Sequence, residues 1–291
     1  MLVAYLESGE MGDYANTKLP SIVTAEHVKT MNAAATNYII DIRTAADYAV
    51  GHIPHAVNVP AAEVLDHLEG TTGDDGKDIH LVCFTGQTSC WLTALLRLSG
   101  YDNAYSMKFG MCAWHQDFAS SWNVNISSWY STQFTSDPTP KAAPGDLPVL
   151  NTGYTTGAEI LQARIEAILS EGFGPARITS AEAFEGREYF YIVNYFPEAD
   201  YTDPGHIPGA VQYTPRESMS IDTDLSTLPT DRPVVVYGWT GQASAALVAY
   251  LRVIGYDARS LLFGVNSMIY DDMMKNKWNE AMIMGYDYVT D

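Results

Sequence analysis

Short apolar runs alternate with longer stretches of helical period along the whole chain. Tyr38-Ile39-Ile40, His80-Leu81-Val82, Phe190-Tyr191-Ile192-Val193 and Val234-Val235-Val236-Tyr237 are short and almost continuously apolar, and read as strands. Between them, Ala61 to Leu68, Trp91 to Leu98, Glu159 to Leu169 and Ala245 to Ile254 repeat apolar residues at helical spacing. Thr24-Ala25-Glu26-His27 and Ser180-Ala181-Glu182-Ala183 read as helix starts, with Thr24 and Ser180 as N-caps. Strands alternating with helices predict an α/β fold with a mainly parallel sheet covered on both faces. Ligands of such sheets bind beyond the carboxyl ends of strands.

The same order of motifs occurs twice. Gly51-His52-Ile53-Pro54-His55-Ala56 returns as Gly205-His206-Ile207-Pro208-Gly209-Ala210. Phe84-Thr85-Gly86-Gln87-Thr88-Ser89 returns as Trp239-Thr240-Gly241-Gln242-Ala243-Ser244. Leu98-Ser99-Gly100-Tyr101-Asp102 matches Val253-Ile254-Gly255-Tyr256-Asp257, Phe109-Gly110 matches Phe263-Gly264, and Trp122-Asn123 matches Trp278-Asn279. Matches in one order with little drift mark a duplicated domain. Between the copies, Thr135 to Pro148 carries four prolines among small and polar residues, the composition of a linker. The expected division is a first domain over 1–136, a Pro-rich linker over 137–149 and a second domain over 150–291.

Composition narrows the partners. With 35 acidic and 16 basic residues the net charge is −19, which repels phosphate backbones and excludes nucleic acid as an expected partner. No run approaches the roughly 20 apolar residues of a membrane span. The 3 cysteines, Cys83, Cys90 and Cys112, are odd in number and cannot form a pure disulfide framework. No Cys-x-x-Cys or His/Cys cluster has zinc spacing, so neither a metal nor a cofactor is expected. The first ten residues lack a basic n-region and a long apolar core, and do not read as a signal peptide. Low Lys content and many Tyr, Thr and Asn residues suit an exported protein. The compartment is left open between the cytoplasm and a periplasmic form whose signal is absent from this chain.

Among the cysteines, Cys83 has the most informative setting. The apolar run Ile79 to Val82 delivers it into the loop Phe84-Thr85-Gly86-Gln87-Thr88-Ser89, and a helical segment follows. A thiol there faces free backbone N–H groups and the positive end of a helix dipole, both of which favour thiolate. Gly86 supplies a turn conformation that a side chain resists. Thr88 and Ser89 offer hydroxyl donors or helix caps.

These residues carry a resemblance. Asp41-Ile42-Arg43, Asp47-Tyr48, Gly51-His52-Ile53-Pro54, Ala56-Val57-Asn58-Val59 and Cys83-x-x-Gly86-x-x-Ser89 resemble a rhodanese (sulfurtransferase) domain, and the repeat makes the chain similar to a tandem rhodanese. The resemblance implies two rhodanese-like α/β domains, each a five-stranded parallel sheet flanked by helices. It implies a cysteine that takes up sulfane sulfur as a persulfide and passes it to cyanide or a thiol. Related phosphatases and arsenate reductases carry a longer loop. The six residues from Cys83 to Thr88 match the sulfurtransferase length. Many rhodaneses also carry Arg or Lys in the loop to bind thiosulfate or mercaptopyruvate. Here Phe84, Thr85, Gln87 and Thr88 are uncharged, so a less charged donor, a persulfide or polysulfide, is expected.

The second copy lacks the chemistry. Gly238 stands opposite Cys83, Asn194 opposite Asp41 and Phe196 opposite Arg43, and no cysteine follows Cys112. In the best-known tandem rhodaneses the active cysteine lies in the second domain, and this chain departs from that arrangement. Asp41 and Arg43 read as a local ion pair supporting the loop. Cys112 and Trp114 are candidates for the pocket, Trp114 also reading as plain core. Cys90 and Cys112 stay open between packed hydrophobes and a resolving thiol. The expected partners are a small sulfur-containing substrate and a thiol acceptor, which includes an acceptor protein. The alternatives are a sulfur or selenium carrier without turnover and, disfavoured by loop length, a phosphatase-like hydrolase.

Overall fold

A computed structural model of the chain describes residues 1–71 and 76–291. The strands are β1 (Ile22–Val23), β2 (Asn37–Asp41), β3 (Val57–Asn58), β4 (Asp78–Val82) and β5 (Ala104–Met107) in the first copy. In the second they are β6 (Arg177–Ile178), β7 (Tyr191–Asn194), β8 (Val211–Gln212), β9 (Val234–Tyr237) and β10 (Ala258–Leu261). They form two five-stranded sheets of identical topology, ordered β1-β5-β4-β2-β3 and β6-β10-β9-β7-β8. Every ladder is parallel. The middle strands, β4 and β9, are buried on both faces, which is why their sequences run apolar without alternation. In β4 the exceptions are Asp78, half-buried at the strand's start, and His80. His80 is fully buried, and burial together with nearby His27 pushes its imidazole down to about 4.

The helix after each middle strand starts earlier than its apolar period suggests. Gln87–Leu98 and Gln242–Val253 begin directly after Gly86 and Gly241, both left-handed with φ of 81° and 74°. Thr24 caps its helix by accepting from the His27 N–H at 3.1 Å, as expected. The helix read from Ser180 is capped one residue earlier. Thr179 accepts from the Glu182 N–H, and the Glu182 carboxylate accepts from the Thr179 N–H, a reciprocal capping box.

The two compact units do not follow chain order. One consists of Met1–Leu19 with Ile126–Lys277, the other of Pro20–Asn125 with Trp278–Asp291. The division expected at 137–149 therefore differs from the grouping at both ends of the chain. In the first of these units, Tyr14 stacks on Tyr250 with centroids 6.1 Å apart, and Asn16 Oδ1 accepts from the Met219 N–H. The Pro-rich segment is docked on this unit. Thr135 bridges to His206, the Thr139 N–H donates to the Tyr201 hydroxyl, and Lys141 pairs with Asp224 at 3.2 Å.

The other unit is completed by residues beyond Lys277. Trp278, 1 % exposed, stacks on Trp122 with centroids 5.4 Å apart and meets Phe109 edge-on at 5.1 Å. Its Nε1 donates to Asn123 Oδ1 at 2.8 Å. Val289 bridges to His52, and Tyr288 lies where a Cβ on Gly51 would come within 2.6 Å. Among the described residues no helix is long and apolar enough to cross a membrane.

Truncating a buried tryptophan costs about 3–5 kcal/mol. Trp278→Ala should reduce unfolding free energy by about that amount, measured by denaturant titration, although the residue lies far from the first repeat in sequence. A loss under about 1 kcal/mol would mean that the segment adds little to its unit.

Candidate active site

Cys83 follows the carboxyl end of β4, and its backbone is held from below. The Met111 and Cys112 N–H groups donate to the Cys83 and Phe84 carbonyls at 2.9 and 3.1 Å. Gly110 makes this approach possible. Its φ is 57°, and a Cβ there would overlap the Cys83 carbonyl oxygen and come within 2.6 Å of that of Phe84. The second repeat has the same clamp. Val265 and Asn266 donate to Gly238 and Trp239, above Gly264 at φ 54°.

The sulfur collects donors from the loop. The Gly86 N–H reaches Sγ at 3.2 Å and the Ser89 N–H at 3.5 Å, while the Ser89 hydroxyl lies 3.3 Å away. Ser89 Oγ is 2.8 Å from Ser106 Oγ, and the Ser106 hydroxyl donates to the Gly86 carbonyl at 3.4 Å. The relay has two consistent settings. As a thiol, Cys83 donates to Ser89, Ser89 to Ser106, and Ser106 to Gly86. As a thiolate it accepts from Ser89, which in turn accepts from Ser106. Negative charge on sulfur thus gains a hydroxyl donor beside two N–H groups by rotation of two hydroxyls. Ser106 was not among the residues singled out from sequence. The repeat carries its signal, since Ser244 and Ser260 form the same 2.8 Å contact in the copy without cysteine.

The other loop residues divide between frame and mouth. Gln87 Nε2 donates to Thr85 Oγ1 at 3.2 Å, and Gln242 does the same to Thr240 at 3.1 Å, so this bond belongs to the fold. Trp122 Nε1 donates to the Thr85 carbonyl. Phe84 and Thr88 are half-buried. Cys83 is 6 % exposed, so the thiol is recessed below the loop mouth.

Asp41 and Arg43 form a buried bidentate pair. Arg43 Nη2 and Nε donate to the carboxylate at 2.6 to 3.1 Å, and Nη2 also reaches the Gly51 carbonyl at 2.7 Å. The guanidinium lies 5.0 Å from the Phe84 ring centroid and 5.5 Å from that of Phe118. In the second repeat this cation-over-ring contact becomes ring on ring. Phe196 stacks on Trp239 at 4.4 Å, and Asn194 Nδ2 donates to the Tyr237 hydroxyl at 2.8 Å.

The two pocket candidates are both enclosed, Cys112 directly beneath the loop through its N–H to the Phe84 carbonyl. Trp114 is fully buried and turns to the C-terminal segment, donating from Nε1 to the Asp287 carbonyl and packing edge-on against Tyr286. Cys112 is fully buried, with Sγ donating to the Phe118 carbonyl at 3.0 Å. Burial pushes its thiol up to about 12 and raises that of Cys90 further, which disfavours thiolate at both. His52 stacks on Tyr48 at 3.6 Å and contacts its carbonyl, as His206 does with Tyr201, which identifies a loop strut.

A family model described as "Rhodanese-like domain" matches residues 24–117 and 182–269. A curated protein of Ogataea parapolymorpha, "Adenylyltransferase and sulfurtransferase uba4", is 25% identical over 87 residues. The match covers 30% of this chain and 22% of that relative, so the chain spans only a small part of its length. Among solved structures, a rhodanese-like domain protein from Staphylococcus aureus is 26% identical, covering 31% of this chain and 87% of that one, with a TM-score of 0.28. A thiosulfate sulfurtransferase from Pseudomonas aeruginosa is 18% identical, covering 89% of this chain and 46% of that one, with a TM-score of 0.32.

Asp41→Asn leaves the Arg43 charge buried without its carboxylate and should reduce stability by about 3–5 kcal/mol. Val82 pairs with Asp41 as Tyr237 pairs with Asn194. The triple variant Asp41→Asn/Arg43→Phe/Val82→Tyr therefore copies the second repeat and should regain at least half of that loss in denaturant unfolding. A triple variant no more stable than Asp41→Asn would show that the two arrangements are not interchangeable.

Proposed function

The chain belongs to the rhodanese-like family, and from that premise we propose that it is a sulfurtransferase working through a Cys83 persulfide. The observation that carries the proposal is the convergence of the Gly86 N–H, the Ser89 N–H and the Ser89 hydroxyl on Sγ at the end of β4. In the first half-reaction the thiolate attacks the sulfane sulfur of the donor. The donor's S–S bond breaks, its thiolate leaves, and Cys83 holds the extra sulfur. In the second, cyanide or a thiolate attacks the outer sulfur and Cys83 departs as thiolate. The same donors serve the negative charge at the start and the end of the cycle.

The donor follows from charge and access. The loop side chains are uncharged, the Arg43 charge is engaged by Asp41, and the chain carries −19 overall. A dianion such as thiosulfate finds no free cation in this loop. A persulfide, which carries a single negative charge, needs less neutralisation than such a dianion and is slim enough for a recessed thiol. The acceptor is cyanide or a thiol, an acceptor protein's thiol included. The second repeat, with Gly238 in place of the cysteine, takes no covalent part.

Incubation with polysulfide should add one sulfur to the intact mass, and cyanide should remove it over repeated turnovers. Cys83→Ser should abolish both the adduct and the activity. A stable adduct without turnover would identify a carrier instead, and an adduct unaffected by Cys83→Ser would overturn the assignment. In steady-state kinetics the thiosulfate KM should lie well above that for a low-molecular-weight persulfide. A low-micromolar thiosulfate KM would refute the donor class.

A further inference from the structure

The amino end of β4 carries a second cluster, at the other end of the strand from Cys83. Asp78 and His80 are alternate residues of β4 and therefore share one face of the sheet. His27, in the first turn of the helix Ala25–Ala33, stands against them, its ring centroid 5.5 Å from that of His80 and edge-on. One ligand atom from each of His27, Asp78 and His80 lies within 4.8 Å of the other two. His27 is exposed and Asp78 half-buried, whereas His80 is fully buried.

The polar groups around His80 are incompletely satisfied. Its Nδ1 is 2.9 Å from Asn37 Nδ2, which also donates to the Val28 carbonyl at 3.3 Å. Nε2 of His80 is buried without a hydrogen-bond partner, and so is Oδ1 of Asn37. An orphaned imidazole nitrogen inside a domain carries a desolvation penalty that no hydrogen bond offsets. No acidic or basic side chain makes an ion pair with Asp78 among the described residues. Asn37 is the strand partner of Asp78, so the amide and the carboxylate are neighbours across the ladder.

We propose that His27, Asp78 and His80 form a binding site for a divalent, imidazole-preferring transition-metal ion of the Zn2+ class. His80 ligates through Nε2. Its proton moves to Nδ1 and the Asn37 amide turns, so that Oδ1 accepts from Nδ1–H and fixes the tautomer from outside the metal shell. The turn sacrifices the 3.3 Å contact to Val28 and gives both orphaned atoms a partner. Ligand atoms in a tetrahedral zinc site lie about 3.3 Å apart, so the cluster must contract. His27 and Asp78 make that adjustment, because neither is fully enclosed. Two imidazoles and a carboxylate leave a fourth position for water and disfavour Mg2+ and Ca2+, which take oxygen ligands. The ion pins the first turn of one helix to the strand that presents the thiol at its opposite end. Sequence spacing conceals the site, since Asp78-x-His80 is short and His27 lies far upstream, which is why no metal was expected.

The test is calorimetric titration of Zn2+ into the full chain carrying Cys83→Ser, which removes the reactive thiol as a competing ligand. One saturable site should appear, and Zn2+ should raise the thermal midpoint through its binding to the native state. His27→Ala, at an exposed position, and Asp78→Asn should each weaken binding by at least about 10-fold. Asn37→Ala should weaken it by about 10–100-fold, the range for loss of a group that orients a ligand. Absence of a saturable site, unchanged affinity in His27→Ala, or Mg2+ binding as tightly as Zn2+ would each overturn the proposal.

Discussion

Gly110 runs so close beneath the loop after β4 that its missing side chain sets the shape of everything above it. The N–H groups that follow it hold the Cys83 and Phe84 carbonyls down, and the loop's own N–H groups are thereby left to face the sulfur. A single methyl group at that position would have to displace main chain on one side or the other. Gly264 occupies the same place under Gly238, where there is no sulfur to serve. The clamp is therefore a property of the fold, and the chemistry is an occupant of it.

The two repeats separate frame from function without any second protein. The Gly86 and Gly241 turns, the Thr–Gln bonds, the serine pairs and the histidine struts are common to both. The first repeat alone has Cys83 with the Asp41–Arg43 pair. The second fills the same space with Phe196 on Trp239 and Asn194 on Tyr237. A buried ion pair and a packed aromatic substitute can be close in net stability, because desolvation offsets much of the attraction. The second repeat holds the same fold without those charges.

Much of this was legible in sequence because the signals were local. Continuous apolar runs located the middle strands, and the duplicated motifs located the loops. Ser106 was not legible, since a serine in a strand says nothing until its hydroxyl is seen against another. Trp114 reads in sequence either as pocket lining or as plain core, and only the fold shows it fully buried with its ring turned to the C-terminal segment. In sequence the match of Trp122 with Trp278 is one more sign of duplication. In the folded chain the two rings stack, a contact between distant residues that no local pattern encodes.

That stacking has a consequence for how the protein is made. The unit that holds Cys83 takes its last segment, Trp278–Asp291, from beyond the whole second repeat. During synthesis the first repeat leaves the ribosome with Trp122, Phe109 and Gly51 still uncovered, and waits while most of the rest of the chain is translated. The other unit already has Met1–Leu19 at hand and can close earlier. The copy without a cysteine is thus positioned to finish first, and the thiol-bearing copy is sealed only once residues 278–291 have been made.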